Sequence, residues 1–287
     1  MILQSFHRAC RNWFESEFGE PTPAQAEAWE SIKAVNHTLI SAPTGSDKTL
    51  AAFYAAIDAL VQQGLNRQLS DGVQILYVSP LKALSDDTQK NLELPFNGIA
   101  EHLHWVGETP VNIRTAVRSG DTSAGERQKM AKKPLNILVT TPESLYLHLT
   151  SASERAMLVG VSRLIVDEIH AMLGDKRGAH LSLFIERLQR LILKSSGQHL
   201  QRIGLSATQK PIEMVAKYLV VNNNSKDADV DCVIVDSGFR RKIEVSLEVR
   251  GSPLTALMGN EVWEELYERL VTLVESRDTT LVFVNTR

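Results

Sequence analysis

Apolar residues in this 287-residue chain recur with two different periods. Short β-branched runs stand at 38–40, 73–79, 113–118, 135–140, 163–166, 202–205 and 232–236, and between most of them lie stretches with helical spacing, at 81–92, 124–131, 143–149, 179–194 and 211–219. The clearest of these puts Leu181, Phe184, Ile185, Leu188, Leu191 and Ile192 on one face. Buried strands alternating with helices of this length predict an α/β fold around a parallel sheet. Ligands of such sheets bind beyond the carboxyl ends of the strands, so the residues just after each strand carry the functional information.

The flanks are patterned as well. Phe6, Cys10, Trp13, Phe14 and Phe18 fall on one helical face, expected to pack on the domain. After the turn at 19–23, Pro23 suits the first turn of a second helix, where its missing N–H is not needed. Beyond a polar stretch at 221–230, strands are expected at 243–249 and 280–284, with a helix at 261–276 that turns Val262, Leu266, Leu270, Leu273 and Val274 inward. The expected division is one domain over 1–240 and a flanking element over 241–287.

Composition narrows the classes. Hydrophobic content of 43% and charged content of 23% are those of an ordinary globular chain. A net charge of −3 supplies no global basic field, which leaves a nucleic-acid partner only a local groove to bind. Cys10 and Cys232 are distant in sequence and lack metal-ligand spacing, the pattern of reduced thiols. No run approaches the ~18 apolar residues of a membrane span. The N-terminus is polar too soon for a signal peptide. The expectation is a cytoplasmic protein with no membrane contact.

The stretch Ser41-Ala42-Pro43-Thr44-Gly45-Ser46-Asp47-Lys48-Thr49 follows the first apolar run and opens a helical segment. Strand, tight turn and helix in that order form a phosphate-binding loop, in which N–H groups at the helix start and the helix dipole attract an anion. Thr44, Gly45, Ser46 and Asp47 would surround the phosphates, Lys48 would reach the β- and γ-phosphates, and the Thr49 hydroxyl would hold Mg²⁺. At the end of a later strand comes Asp167-Glu168-Ile169-His170. With a phosphate loop in the same chain, Asp167 can hold Mg²⁺ through water, and Glu168 can orient and deprotonate the water that attacks the γ-phosphate of ATP. Ser206-Ala207-Thr208 ends the next strand, two hydroxyls around a small residue that would link the ATP site to the rest of the protein.

Taken in order, Gln25 in Pro-Thr-Pro-Ala-Gln, the phosphate loop, Ser79-Pro80-Leu81-Lys82-Ala83-Leu84, Thr140-Thr141-Pro142-Glu143-Ser144-Leu145, Asp-Glu-Ile-His and Gly204-Leu205-Ser206-Ala207-Thr208-Gln209 resemble the motifs of superfamily 2 DExH-box helicases. The wording around Ser79–Leu84, Arg118-Ser-Gly-Asp-Thr122, Lys176-Arg-Gly-Ala-His180 and Leu-Ser-Ala-Thr-Gln resembles the large helicase-related (Lhr) family. The resemblance implies a RecA-like P-loop NTPase domain with a mostly parallel sheet flanked by helices, followed by the beginning of a second RecA-like domain. It implies an ATP- and Mg²⁺-dependent motor, acting as a monomer on single-stranded or partly duplex DNA or RNA. In that family the residue matching Gln25 reads adenine. The segments that supply Pro80, Lys82, Arg118, Thr122, Thr141 and Pro142 hold the phosphate backbone, a grip that gives affinity without sequence reading. His170, Ser206 and Thr208 would couple the ATP state to that grip; His170 has no other His or Cys at ligand spacing.

The sequence departs from the family pattern twice. The residue before Lys48 is usually Gly, and here it is Asp47. A carboxylate about 5 Å from a phosphate charge costs on the order of 3 kcal/mol at an effective dielectric near 20. That is enough to move a ~10 μM site to the millimolar range. The last residues, Leu281-Val282-Phe283-Val284-Asn285-Thr286-Arg287, resemble the first strand of the family's second motor domain, whose inserted Arg residues are worth roughly 10³–10⁵ in rate. The expectation is therefore weak nucleotide binding, very slow hydrolysis and no unwinding by this chain alone. The rival is a motor domain that binds nucleic acid or a protein partner without turnover. A P-loop enzyme acting on a small molecule would leave the 79–84 and 140–145 segments without a task.

Overall fold

The computed structural model describes residues 2–42, 48–80, 82–123, 125–127, 130, 133, 135–220, 231–236, 245–246 and 260–283, with the backbone alone at 82–91 and 260–262. The chain divides into two compact units, Met1–Arg240 and Arg241–Arg287.

In the first unit the elements run α1 (Arg8–Phe18), α2 (Pro23–Lys33), β1 (Thr38–Ser41), α3 (Lys48–Leu65), β2 (Ile75–Val78), α4 (Lys82–Trp105), β3 (Thr115–Arg118), β4 (Ile137–Thr140), α5 (Pro142–Thr150), α6 (Ala152–Leu158), β5 (Arg163–Val166), α7 (Lys176–Ser196), β6 (Gln201–Ser206), α8 (Ile212–Val220) and β7 (Val233–Asp236). Short 3₁₀ turns precede α1 (Ile2–Ser5) and follow β5 (Ile169–Met172). The seven strands form one sheet in the order β3-β4-β2-β5-β6-β1-β7, and every pairing is parallel. This is the parallel α/β sheet that the alternation of runs and helices implied, and it fits the RecA-like domain that the resemblance implied.

Alternation of side chains along the strands builds two apolar layers. Ile40, Ile75, Tyr77, Ile137, Val139, Ile165 and Ile203 face one layer with α1, α2, α3 and α4. Leu39, Leu76, Val78, Leu138, Leu164 and Val166 face the other, with α5, α6, α7 and α8. The aromatic face of the N-terminal helix belongs to the first layer, where Phe6, Phe14, Trp29 and Tyr54 meet ring to ring at 5.1–5.3 Å. Phe18 is 42% exposed at the rim.

Packing extends one helix beyond its local pattern. Periodicity ends α4 near residue 92 because Pro95 follows, and an interior proline costs ~3 kcal/mol. The helix nonetheless runs to Trp105, since Leu92, Ile99 and Leu103 are each 2% exposed beneath α1, and burying one such side chain stabilises by about 1.5–3 kcal/mol. Gly98 lets α1 approach: a Cβ there would lie 2.0 Å from Trp13 Nε1. Helix α6 was not legible as a separate element in the sequence.

In the second unit, α9 (Asn260–Glu275) forms as expected. Leu266 and Leu270 are half-buried, whereas Leu273 and Val274 are exposed rather than inward. Residues 279–283 do not form the expected strand, and Leu281, Val282 and Phe283 are exposed. A strand exists only when a neighbour takes up its backbone hydrogen bonds, and among the described residues no segment pairs with this one. The expected strand at 243–249 falls largely outside the described residues, and of the expected helix at 124–131 the described residues 125–127 and 130 are helical. Among the described residues no helix is long and apolar enough to cross a membrane.

Candidate nucleotide and nucleic-acid site

Strand β6 lies between β1 and β5, so the carboxyl ends of these three strands stand side by side at a spacing of about 4.8 Å per strand. Lys48 opens α3 beside them. It is only 8% exposed, and its ammonium donates to the carbonyl of Ala42, the residue after β1. Among the described residues it forms no ion pair. Burial lowers its pKa, and the nearby Glu168 and Asp167 carboxylates work against that. A buried cation whose hydrogen-bond partner among the described residues is a neutral carbonyl suits an incoming phosphate. Thr44, Gly45, Ser46 and Asp47 lie outside the described residues. Thr49 is half-buried in the first turn of α3.

The carboxylate pair is held with care. Asp167 is 6% exposed, and its N–H continues the sheet onto Val78 O at 2.9 Å. Its Oδ2 accepts from the Tyr77 hydroxyl of β2, and its Oδ1 accepts from the Glu168 N–H at 2.8 Å. Glu168 adopts a left-handed conformation (φ 44°, ψ 38°), which costs a non-glycine residue roughly 1–2 kcal/mol. This reversal sets its carboxylate 3.3 Å from His170 Nε2. His170 Nδ1 in turn accepts from the Ala207 N–H at 3.1 Å, so the ring's own hydrogen sits on Nε2, toward Glu168. Ser206 completes the path: its hydroxyl donates to Ala207 O at 2.8 Å, and its carbonyl accepts from Ala42 N–H at 3.2 Å. A continuous path of bonds thus joins the Lys48 ammonium to Glu168. Thr208 is exposed at the edge of this group.

The oxygens of Asp167 and Thr49 are hard donors of the kind Mg²⁺ takes, in the small number that leaves room for water and phosphate oxygens. Among the described residues no group of three or more His, Cys, Asp or Glu is placed to cage a metal. Gln25 is 8% exposed, and its side-chain oxygen accepts from Thr22 N–H at 2.9 Å while Thr22 caps α2 in return. That capping box fixes the direction of the carboxamide.

The other end of the same edge, over β2, β4 and β3, carries the expected gripping residues. Thr141 is 3% exposed and caps α5, with Pro142 buried in its first turn. Thr122 Oγ1 accepts from Ser119 N–H at 3.0 Å, closing the turn after β3. The Thr140 hydroxyl donates to Arg118 O at 2.8 Å. The Lys82 side chain lies outside the described residues. Arg118 is not presented at the edge: it is 7% exposed and turned inward to Glu154 of α6. Fully buried His148 of α5 stands 3.0 Å from the other Glu154 oxygen. Burial first, then the Arg118 charge, pushes His148 down to about 4.

Sequence patterns alone missed three of these groups. Tyr77 reads as core in an apolar strand. Glu154 sits in the helix that was not expected. Arg177, in the Lys176–His180 phrase, had no assigned role, yet it ion-pairs with Glu143 at 2.8 Å and donates to Pro80 O at 3.1 Å.

A parallel sheet with a buried lysine, a paired Asp-Glu and a histidine linked to the neighbouring strand end describes a nucleotide-driven motor domain. Residues 22–215 match the DEAD/DEAH box helicase family, and the chain belongs to it. Within that family it is similar over nearly its whole length to Lhr helicases. It is 44% identical over 99% of its length to the Lhr helicase/probable uracil glycosylase of Mycolicibacterium smegmatis, covering 18% of that protein. It is 41% identical over 100% of its length to the ATP-dependent helicase Lhr-Core of Methanocaldococcus jannaschii, covering 32% of it. The chain therefore spans only a fraction of the relatives it matches. Among solved structures, the Mycobacterium smegmatis Lhr helicase bound to ssDNA and AMP-PNP aligns with a TM-score of 0.82 at 44% identity, over 99% of this chain and 34% of that one. The DEAD-box helicase Mss116 aligns with a TM-score of 0.65 at 18% identity over 83% of this chain and 45% of that one, a likeness of fold.

Proposed function

We propose that this chain is the first motor domain of an Lhr-type helicase, coupling ATP hydrolysis to translocation along one strand of single-stranded or partly duplex DNA or RNA, as a monomer. The observation that carries this is the convergence of buried Lys48, Asp167, Glu168 and the His170–Ala207 link on adjacent strand ends. In this proposal Lys48 and the loop residues Thr44, Gly45, Ser46 and Asp47 hold the phosphates, and Gln25 reads adenine. Thr49 and Asp167 would hold Mg²⁺, which would supply charge neutralisation to the nucleotide phosphates. Glu168 then takes the proton of the attacking water, and the Nε2–H of His170 steadies its carboxylate. Ser206 and Thr208 pass the nucleotide state onward.

At the other end, Pro80, Lys82, Thr122, Thr141 and Pro142 follow the strand backbone, with the start of α5 offering its N–H groups to a phosphate. Arg118 enters as a residue that shapes this edge from within, because its guanidinium is already paired. A second reading, strand binding without turnover, is favoured by the identity of Asp47, since a carboxylate beside the phosphates opposes nucleotide binding.

One titration separates the two. Asp47→Gly is expected to tighten ATP binding by about 100-fold, the equivalent of ~3 kcal/mol. It should also raise single-strand-stimulated hydrolysis, measured by calorimetry and phosphate release. Equal ATP affinity in both proteins removes the charge argument. Hydrolysis that ignores added nucleic acid in both removes the motor assignment.

A further inference from the structure

Arg177 touches both of the loops assigned to strand grip. Its Nε and Nη2 engage Glu143 Oε1 at 2.9 and 2.8 Å, and Nη2 also donates to Pro80 O at 3.1 Å. Glu143 lies in the first turn of α5, directly after Thr141-Pro142, and Pro80 lies between β2 and α4. One guanidinium thus holds two segments that are separate in sequence. The side chains of Arg177 and Glu143 are 45% and 60% exposed, and an ion pair this open contributes little to stability. Its consequence lies in geometry instead.

The backbone beside Arg177 is tied to the nucleotide end. Gly178 packs so closely on the carbonyl of Met172 that an added Cβ would lie 1.6 Å from that oxygen. Met172 ends the 3₁₀ turn that begins two residues after Asp167. Gly178 N–H donates to Asp175 Oδ1 at 2.7 Å, and Gly178 O accepts from the Tyr218 hydroxyl of α8 at 2.6 Å. A shift of the Asp167–His170 segment therefore reaches the start of α7 through packed backbone, and reaches the Pro80 and Glu143 loops through one rigid, planar side chain.

We propose that Arg177 is a positioning residue that sets the spacing of the two strand-gripping loops according to the state of the nucleotide site. This rests on the helicase reading given above. The test is fluorescence anisotropy of a labelled single-stranded oligodeoxynucleotide with the 287-residue chain, with and without saturating Mg²⁺ and a non-hydrolysable ATP analogue. In the unaltered protein the analogue changes strand affinity by a measurable factor. Arg177→Gln is expected to reduce that factor by about five-fold or more, with analogue affinity within about two-fold and the melting temperature unmoved. Arg177→Lys should restore it only in part, because an ammonium cannot span both partners, and Glu143→Gln should lose less than Arg177→Gln, because the Pro80 contact remains.

An unchanged factor in Arg177→Gln overturns the proposal while leaving the helicase reading intact. So does an equal loss of affinity with and without analogue accompanied by a salt slope shallower by about 0.7, which marks a simple phosphate contact. Failure of the unaltered protein to bind the oligonucleotide under any condition overturns the helicase reading, and this proposal with it.

Discussion

Charge is handled differently at the two ends of the carboxyl edge. Over β1, β6 and β5, the buried ammonium of Lys48 meets a carbonyl among the described residues, and there Asp167 is held by a phenol and an amide N–H. Over β2, β4 and β3, two of the described cations already have their carboxylates: Arg118 has Glu154 and Arg177 has Glu143. The first end is electrostatically incomplete and suited to a multiply charged ligand with its metal. At the second, the two described arginines are matched by carboxylates, and in the proposed reading helix N-termini and loop shape share the hold on a strand with Lys82.

Lys48 distinguishes the two ends most sharply. In the Asp47→Gly background, Lys48→Ala should weaken ATP binding and turnover by about 100-fold or more, comparable to removing a preorganised donor, with oligonucleotide affinity in the absence of nucleotide unchanged. Isothermal titration and anisotropy on the same preparation check both halves. A parallel loss of strand binding would show that the two ends are not separable.

Glu154→Gln tests the other end. It strands the buried Arg118 charge beside His148, and breaking such a pair costs about 3–5 kcal/mol. The exposed partner change Glu143→Gln should cost under about 1 kcal/mol. Urea denaturation of the two variants measures the difference directly. Equal losses would remove the distinction between inward and outward pairs.

His148 sharpens the contrast through pH. Its folded pKa is about 4 against an ordinary 6.5, so between those values the unfolded chain binds the proton that the folded chain refuses. Stability is flat above pH 6.5, falls as pH drops toward 4, and loses roughly 3 kcal/mol from this group across the window. His148→Gln should flatten that part of the stability–pH curve. An unaltered slope would mean that other groups dominate it.

Much of the fold could be read from local pattern because strands buried on both faces and one-sided helices write their periods directly into sequence. The β5 run matches its strand residue for residue, Asp167 and Glu168 stand directly after it, and Lys48 opens α3. The failures have equally local causes. Pro95 hid the second half of α4, whose stability comes from burial under α1, and Leu281–Phe283 has strand-forming residues but no partner strand among those described.

The sequence by itself determined the order of strands and helices and the chemical groups at each strand end, because these depend on neighbours a few residues apart. Only the tertiary structure decided which charges meet. Tyr77 and Asp167 are 90 residues apart, Arg177 and Pro80 are 97 apart, and Arg118 and Glu154 are 36 apart. No periodicity encodes such pairs. They arise when parallel pairing of distant strands brings their ends to one edge, and there burial obliges each polar group to find a partner or await a ligand.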